Sequence, residues 1–550
     1  MTAPAPTASA RTARSARHWW SPIALGIAIA LLIVAPLVPG ILSTGSALAL
    51  VRVPVESLVI LLVLMVVPWR WVRIVLAAVF GTVVVVAIAL AGIDYGYEQV
   101  LDIHFDPADW QQLDDALGVV SDSIGTTATT ALVVLAIVLA VALVVALTWA
   151  ALRVSAGIRR HLKVGTAVIS AVTAAWIVAA LVGSQLVAGQ PTAAAASVDA
   201  IGTAVSQVST TLSAQAGLPR QIADDSFAGE PASDLLTALR GKDVVFAFVE
   251  SYGQVAVQGT DFSPGVDAVL RNGNAQLKAE GYTAQSAWLT SPTFGGLSWL
   301  AHSTLQTGLW VDEQPIYSKV VRSDRFTLSD AFRKAGWRTV SDVPSDAQPW
   351  SFGRSFYHYD SLLNAQNVGY EGPHFGYARI PDQYTWKYFA DHELTGPHKP
   401  VMAEIDLVSS HTPWAPLPQI VPWSQIGDGS IYAPQPAQSE SSGTVWQNPK
   451  TVQQFYGKSV QYTLQSMYSF LKNVDDPNLV VIELGDHQPA TIVSGKGANH
   501  EVPISIIAKD PAVFRSIAAW HWSSGIQPTS ASPLWRMDAF RDRFLTAYGR

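Results

Sequence analysis

The chain has 550 residues, of which 49% are hydrophobic and only 14% charged, a balance too apolar for an ordinary soluble protein. Its net charge of −7 and the lack of a basic stripe on its polar half exclude nucleic acid as a partner. With no cysteine at all, neither disulfides nor thiolate metal sites are available, so a domain outside the cell must be held by its core alone.

Residues 1–20 form a tail carrying Arg11, Arg14 and Arg17. Residues 21–187 then carry five apolar stretches, at about 21–42, 53–69, 72–93, 127–152 and 164–187, each near the length that crosses a bilayer as a helix. Arg70 and Arg73 follow the second stretch, and Arg153, Arg159, Arg160 and Lys163 follow the fourth. Together with the tail, these positive segments are expected on the cytoplasmic side. The connection 94–126 carries Asp94, Glu98, Asp102, Asp106, Asp109, Asp114, Asp115 and Asp122 with no Lys or Arg, as an outside loop would. Five spans place everything after them outside. Arg52, Pro54 and Glu56 enter the second span and are read as interfacial. A linker follows over 188–240, rich in Ala, Ser, Thr and Gln, with Gly217-Leu218-Pro219 as an expected breaker.

From 241 to 550 the pattern changes. Short, continuously apolar runs at Val244–Val249, Arg338–Val343, Met402–Val408, Leu479–Leu484 and Ile504–Ala508 suit strands buried on both faces of a largely parallel sheet. Helical periodicity between them, at Thr327–Ala335 and Val452–Leu471, predicts an α/β sandwich. In such sheets chemistry collects at the carboxyl ends of strands. Glu250 ends the first run, His411 follows the third after two serines, and Asp486-His487 follow the fourth across Gly485. Thr293 precedes Phe294-Gly295-Gly296 and a helical pattern through Trp299, Leu300 and Leu305, so its hydroxyl is expected at a helix N-terminus, where N–H groups favour an anionic oxygen. Each residue alone has a plainer role: a solvated strand end, an N-capping Thr, a packed His. Their order and strand context together point to a site.

The segments Val-Glu-Ser-Tyr-Gly (249–253), Ser-Pro-Thr-Phe-Gly-Gly (291–296), Ser-Ser-His-Thr-Pro-Trp (409–414), Gly-Asp-His (485–487) and His-Glu-Val-Pro-Ile (500–504) resemble the alkaline phosphatase/sulfatase superfamily. With five spans ahead of an outside domain, the chain looks like its lipoteichoic acid synthase and phosphoethanolamine transferase branch. The resemblance implies that Glu250, Asp486, His487 and the Thr293 hydroxyl hold one divalent metal, Mn²⁺ in preference to Mg²⁺ or Zn²⁺. It implies Thr293 as nucleophile, forming a phosphothreonine, and His411 as a group that donates to the leaving oxygen or binds phosphate. Trp350, Arg354 and His500 match positions that relatives place around the substrate, although Trp-Ser-Phe-Gly-Arg spaces the first two more widely than lipoteichoic acid synthases do. The implied reaction moves a phospholipid headgroup, glycerol phosphate from phosphatidylglycerol first, onto a cell-envelope glycan or lipid. Phosphoethanolamine transfer and hydrolysis of envelope phosphodiesters are the alternatives, and a non-catalytic envelope scaffold is the third. Sulfatase chemistry is disfavoured, because Thr293 stands where a Cys or Ser would be converted to formylglycine. Asp406 is offered with His411 for a second metal, against the preferred reading of a hydrogen-bonded interior carboxylate.

Overall fold

The computed structural model describes residues 22–102, 104–110, 113, 117 and 126–550. Arg11, Arg14, Arg17, Asp114, Asp115 and Asp122, on which part of the topology rests, lie outside the described residues. The described chain falls into two compact units that divide at Leu212 and Ser213, with the segment after Glu98 grouping with the second.

Among the described residues of the first unit, four helices are long and apolar enough to cross a membrane: α1 (Pro22–Thr44), α3 (Arg70–Leu101), α4 (Thr126–Arg160) and α5 (Leu162–Leu181). Only 6% of the most apolar stretch of α4 is buried, an outward apolar face that suits lipid rather than water. The expected second span differs. Helix α2 (Val55–Val66) has 12 residues, about 18 Å at 1.5 Å per residue, against about 30 Å of hydrocarbon. Its entry is polar and satisfied: Glu56 Oε1 accepts from the Ser197 N–H at 2.8 Å, and the Arg52 guanidinium donates to Gln190 Oε1. The breaker expected at Gly217-Leu218-Pro219 is also absent, because helix α6 (Ala196–Ala223) runs through Pro219. A proline inside a helix costs ~3 kcal/mol, but Leu218, one residue earlier, is buried in the core that Phe246 and Leu300 share.

The second unit is built on a nine-stranded sheet. Its strands in chain order are β1 (Asp243–Val249), β2 (Thr283–Thr290), β3 (Arg338–Val343), β4 (Ser361–Asn364), β5 (Val401–Leu407), β6 (Leu479–Gly485), β7 (Glu501–Ala508), β8 (Ser523–Ser524) and β9 (Leu534–Arg536). Spatially the order is β8-β2-β7-β6-β1-β5-β3-β4, with β9 on the outer side of β2. The block β6-β1-β5-β3-β4 is parallel, and β7 is antiparallel to both its neighbours. β2 therefore points the same way as β6 and β1. The carboxyl ends of β1, β2, β5 and β6 and the amino end of β7 meet at one edge, so Glu250, Ser291–Thr293, Asp406–His411, Asp486–His487 and His500 gather there.

All five apolar runs are strands, and the helical patterns form α9 (Leu328–Lys334) and α11 (Pro449–Asn473). Every residue of β1 and β6 is buried, because side chains on both faces enter a core: Val244, Phe246 and Phe248 enter one, and Val245, Ala247 and Val249 the other. β2 was not expected; Gln285 and Ser286 interrupt its apolar pattern, yet β7 and β8 pair with it.

Candidate metal centre

Three side chains converge where β1 and β6 end. Ligand atoms of Glu250, Asp486 and His487 all lie within 4.8 Å of one another, and the residues are buried. Local backbone sets them in place. Ser251, directly after Glu250, has φ 56, and this left-handed conformation turns its N–H onto Asp486 Oδ1 at 2.7 Å. The His487 N–H reaches the same oxygen at 2.7 Å. Gly485 makes the approach possible, since a Cβ there would stand 1.9 Å from the Tyr252 carbonyl oxygen.

The donors and acceptors do not balance. His487 Nδ1 lies 2.8 Å from the Gln488 carbonyl; a carbonyl only accepts, so Nδ1 carries the proton and Nε2 presents a lone pair. That Nε2 faces Glu250 Oε1 and Asp486 Oδ2, each at 3.5 Å. Asp486 Oδ2 is buried and has no hydrogen-bond partner. Unshared lone pairs thus point at one another in a dry pocket, the arrangement a cation resolves. The donor set, two carboxylates and one imidazole, suits a hard or borderline divalent ion. Burial and the Glu250 charge push Asp486 well above its ordinary range. Burial pushes both His487 and His411 down, toward the neutral imidazole.

An amide at position 486 would supply donor hydrogens to these facing lone pairs. In Asp486→Asn the metal-free protein is expected to gain about 1 to 2 kcal/mol and to lose the rise in melting temperature that Mn²⁺ produces in the wild type. Thermal melts in EDTA and in Mn²⁺ check both.

The loop after β2 is tied to the same place. Ser291 Oγ donates to the Asp486 carbonyl at 2.5 Å and accepts from the Thr293 N–H at 3.2 Å; it lies 3.5 Å from Thr293 Oγ1. The Gly295 N–H donates to the Gln488 carbonyl at 2.9 Å. Thr293 does not, however, occupy a helix N-terminus. Helix α8 (Ser298–Thr307) begins five residues later, so Ser298 holds the first helical position. His411 stacks on Tyr377 with ring centroids 3.6 Å apart, and its Nδ1–H donates to the Thr412 carbonyl at 2.5 Å. His500 Nδ1 lies 3.3 Å from the Ser291 carbonyl. Trp350 and Arg354 line a pocket with Leu362, Asn364, Gln366 and Asn367; Trp350 lies against Tyr357, and Arg354 is exposed.

A second cluster, missed in the sequence, joins His302, Glu404 and Asp406. His302 Nδ1 lies 3.0 Å from Glu404 Oε1 and 3.5 Å from Asp406 Oδ1, and the ring stacks on Phe248. Gln306 and Tyr359 both donate to Glu404 Oε2. Glu404 is therefore saturated, unlike Asp486, and the cluster reads as an ion-paired buttress in which Asp406, its side chain 22% exposed, faces His302. Burial would lower His302, but Asp406 and Glu404 outweigh it and raise it to about 9, while burial raises Asp406 to about 7. A histidine raised above its unfolded value of about 6.5 contributes stability that is complete below that pH and lost as pH rises through 9. The raised carboxylate also loses stability with rising pH, between about 4 and 7. The melting temperature in EDTA is expected to fall between pH 7 and 9, and His302→Gln to flatten that limb. An unchanged limb in the variant would remove His302 as its source.

No protein-family model matches the chain, and no curated protein matches it. Solved structures do. A protein in the alkaline phosphatase superfamily from Vibrio parahaemolyticus aligns at TM-score 0.36 and 16% identity, over 57% of this chain and 69% of that one. The phosphoglycerol transferase GacH of Streptococcus pyogenes, solved with sn-glycerol-1-phosphate, aligns at TM-score 0.36 and 15% identity, over 60% and 78%. The soluble domain of lipooligosaccharide phosphoethanolamine transferase A from Neisseria meningitidis aligns at TM-score 0.37 and 13% identity, over 58% and 94%.

Proposed function

We propose that this is a membrane-anchored, metal-dependent phosphotransferase that moves a phospholipid headgroup, glycerol phosphate from phosphatidylglycerol first, onto a cell-envelope glycan or lipid. The observation that carries the reading is the convergence of Glu250, Asp486 and His487, with an unpartnered buried oxygen, beside the loop that bears Thr293. The linker over 188–240 would join five spans, α2 being a short one, to a catalytic domain over 241–550 outside the membrane. A lipid donor gives the anchor its purpose, because a site held near the bilayer meets that donor at high local concentration.

Glu250, Asp486 and His487 would hold the ion, with Mn²⁺ preferred. Once bound, such an ion lowers the cost of forming an alkoxide and of gathering charge on phosphoryl oxygens. Thr293 Oγ1 attacks phosphorus: the Thr–O–P bond forms, the P–O bond to diacylglycerol breaks, and diacylglycerol leaves with a proton. An acceptor hydroxyl then attacks the phosphothreonine, and Thr293 recovers a proton as its P–O bond breaks. His411 suits this second step. With Nδ1–H on the Thr412 carbonyl and the ring neutral, Nε2 is an acceptor and would take the proton of the incoming hydroxyl. That is a base, where the sequence left donation to a leaving oxygen or phosphate binding. His500, with Nδ1 near the Ser291 carbonyl, would offer Nε2 to substrate, and Trp350 and Arg354 remain headgroup candidates only if substrate reaches the pocket they line.

The test is product analysis with purified protein, Mn²⁺ and phosphatidylglycerol or phosphatidylethanolamine, with and without a glycan acceptor. Diacylglycerol release that needs Mn²⁺ and stops in EDTA is expected, with phosphatidylglycerol the better donor. Release of free glycerol phosphate unaffected by acceptor would make the protein a hydrolase, and no release from either lipid would sink the proposal.

A further inference from the structure

Ser298 is absent from every motif quoted above, yet its hydroxyl sits inside the metal centre. Its Oγ lies 3.0 Å from Glu250 Oε2 and 3.2 Å from His487 Nε2. The backbone is shaped to put it there: Leu297, just before it, adopts φ 65, a left-handed conformation unusual for leucine. The helix it starts is held by the same face. Ser298, His302 and Gln306 recur at intervals of four on α8, so one stripe meets Glu250, then Glu404 and Asp406, then Glu404 again.

A proton count gives the contact its meaning. The Ser298 hydroxyl has one hydrogen, and it is donated to Glu250 Oε2. His487 Nε2 has none, since the ring proton is on Nδ1 facing the Gln488 carbonyl. The 3.2 Å approach of Ser298 Oγ to Nε2 is therefore lone pair against lone pair. Asp486 Oδ2, 1% exposed as a residue and without a partner, faces the same nitrogen. Two ligands each about 2.1 Å from one ion, at right or tetrahedral angles, stand about 3.0 to 3.4 Å apart, which is the spacing of Ser298 Oγ from its two neighbours.

We infer that Ser298 Oγ is a further oxygen ligand of the divalent cation, alongside Glu250, Asp486 and His487. This rests on the reading of that cluster as a cation site, and the experiment separates the two. Mn²⁺ binding to the full chain in detergent is titrated by the electron paramagnetic resonance signal of free Mn²⁺, for wild type, Ser298→Ala and Ser298→Thr, with metal-free melting temperatures alongside. Ser298→Ala is expected to weaken Mn²⁺ binding tenfold or more while its melting temperature in EDTA stays that of the wild type, and Ser298→Thr, which keeps the hydroxyl, to bind within about threefold of wild type. Wild-type affinity in Ser298→Ala overturns the inference alone, as does a change confined to the metal-free melting temperature. If the wild type itself binds no Mn²⁺, the cation reading of the whole cluster is overturned with it.

Discussion

Thr293→Ala is expected to abolish headgroup transfer, lowering the rate by at least about 10³-fold, while leaving the melting temperature in EDTA near that of the wild type. The reason is positional. Ser291 and the Gly295 N–H hold the loop to the Asp486–Gln488 segment whether or not residue 293 carries a hydroxyl, so the variant loses the attacking oxygen but not the site. Peptide mass spectrometry after incubation with Mn²⁺ and phosphatidylglycerol reads the outcome directly. The wild type should carry a glycerol-phosphate adduct on the peptide containing Thr293, with diacylglycerol released; the variant should show neither. An adduct on another hydroxyl, Ser291 or Ser298 above all, would reassign the nucleophile.

The largest stability loss is expected from a residue that touches no substrate. In Gly485→Ala the new Cβ would lie 1.9 Å from the Tyr252 carbonyl oxygen and 2.9 Å from its carbon, both backbone atoms, so no side-chain rotation relieves the clash. Either the end of β6 or the turn after Glu250 must move. We expect a loss of at least about 3 kcal/mol, beyond the ordinary range for one added methyl group in a packed interior, and with it loss of cation binding, because the same turn carries Ser251 onto Asp486. Gly229→Ala is the control, since nothing lies within 4 Å of its Cβ position, and it should melt with the wild type. Equal melting of the two variants would show that the turn tolerates displacement.

Much of the framework is written in local pattern. Runs such as Val244–Val249 and Leu479–Leu484 are apolar on both faces because both faces of the inner strands are covered, so burial and strand type are legible together, and with them the strand ends where Glu250 and Asp486 stand. β2 escaped because pairing on both sides stabilises a strand whose own pattern is interrupted by Gln285 and Ser286. The passage of α6 through Pro219 escaped because the burial of Leu218 is a tertiary fact.

The sequence by itself determined that an apolar, helical first half precedes an α/β domain, and which acids and histidines fall at strand ends, since periodicity and composition are properties of neighbours along the chain. Only the tertiary structure decided how those groups share their protons. Ser298 meets Glu250 across 48 residues and His487 across 189, and His302 meets Glu404 across 102. Whether a carboxylate is saturated, as Glu404 is, or left with a bare oxygen, as Asp486 is, depends on hydrogen-bond donors that arrive from distant strands and helices, and no local pattern records them.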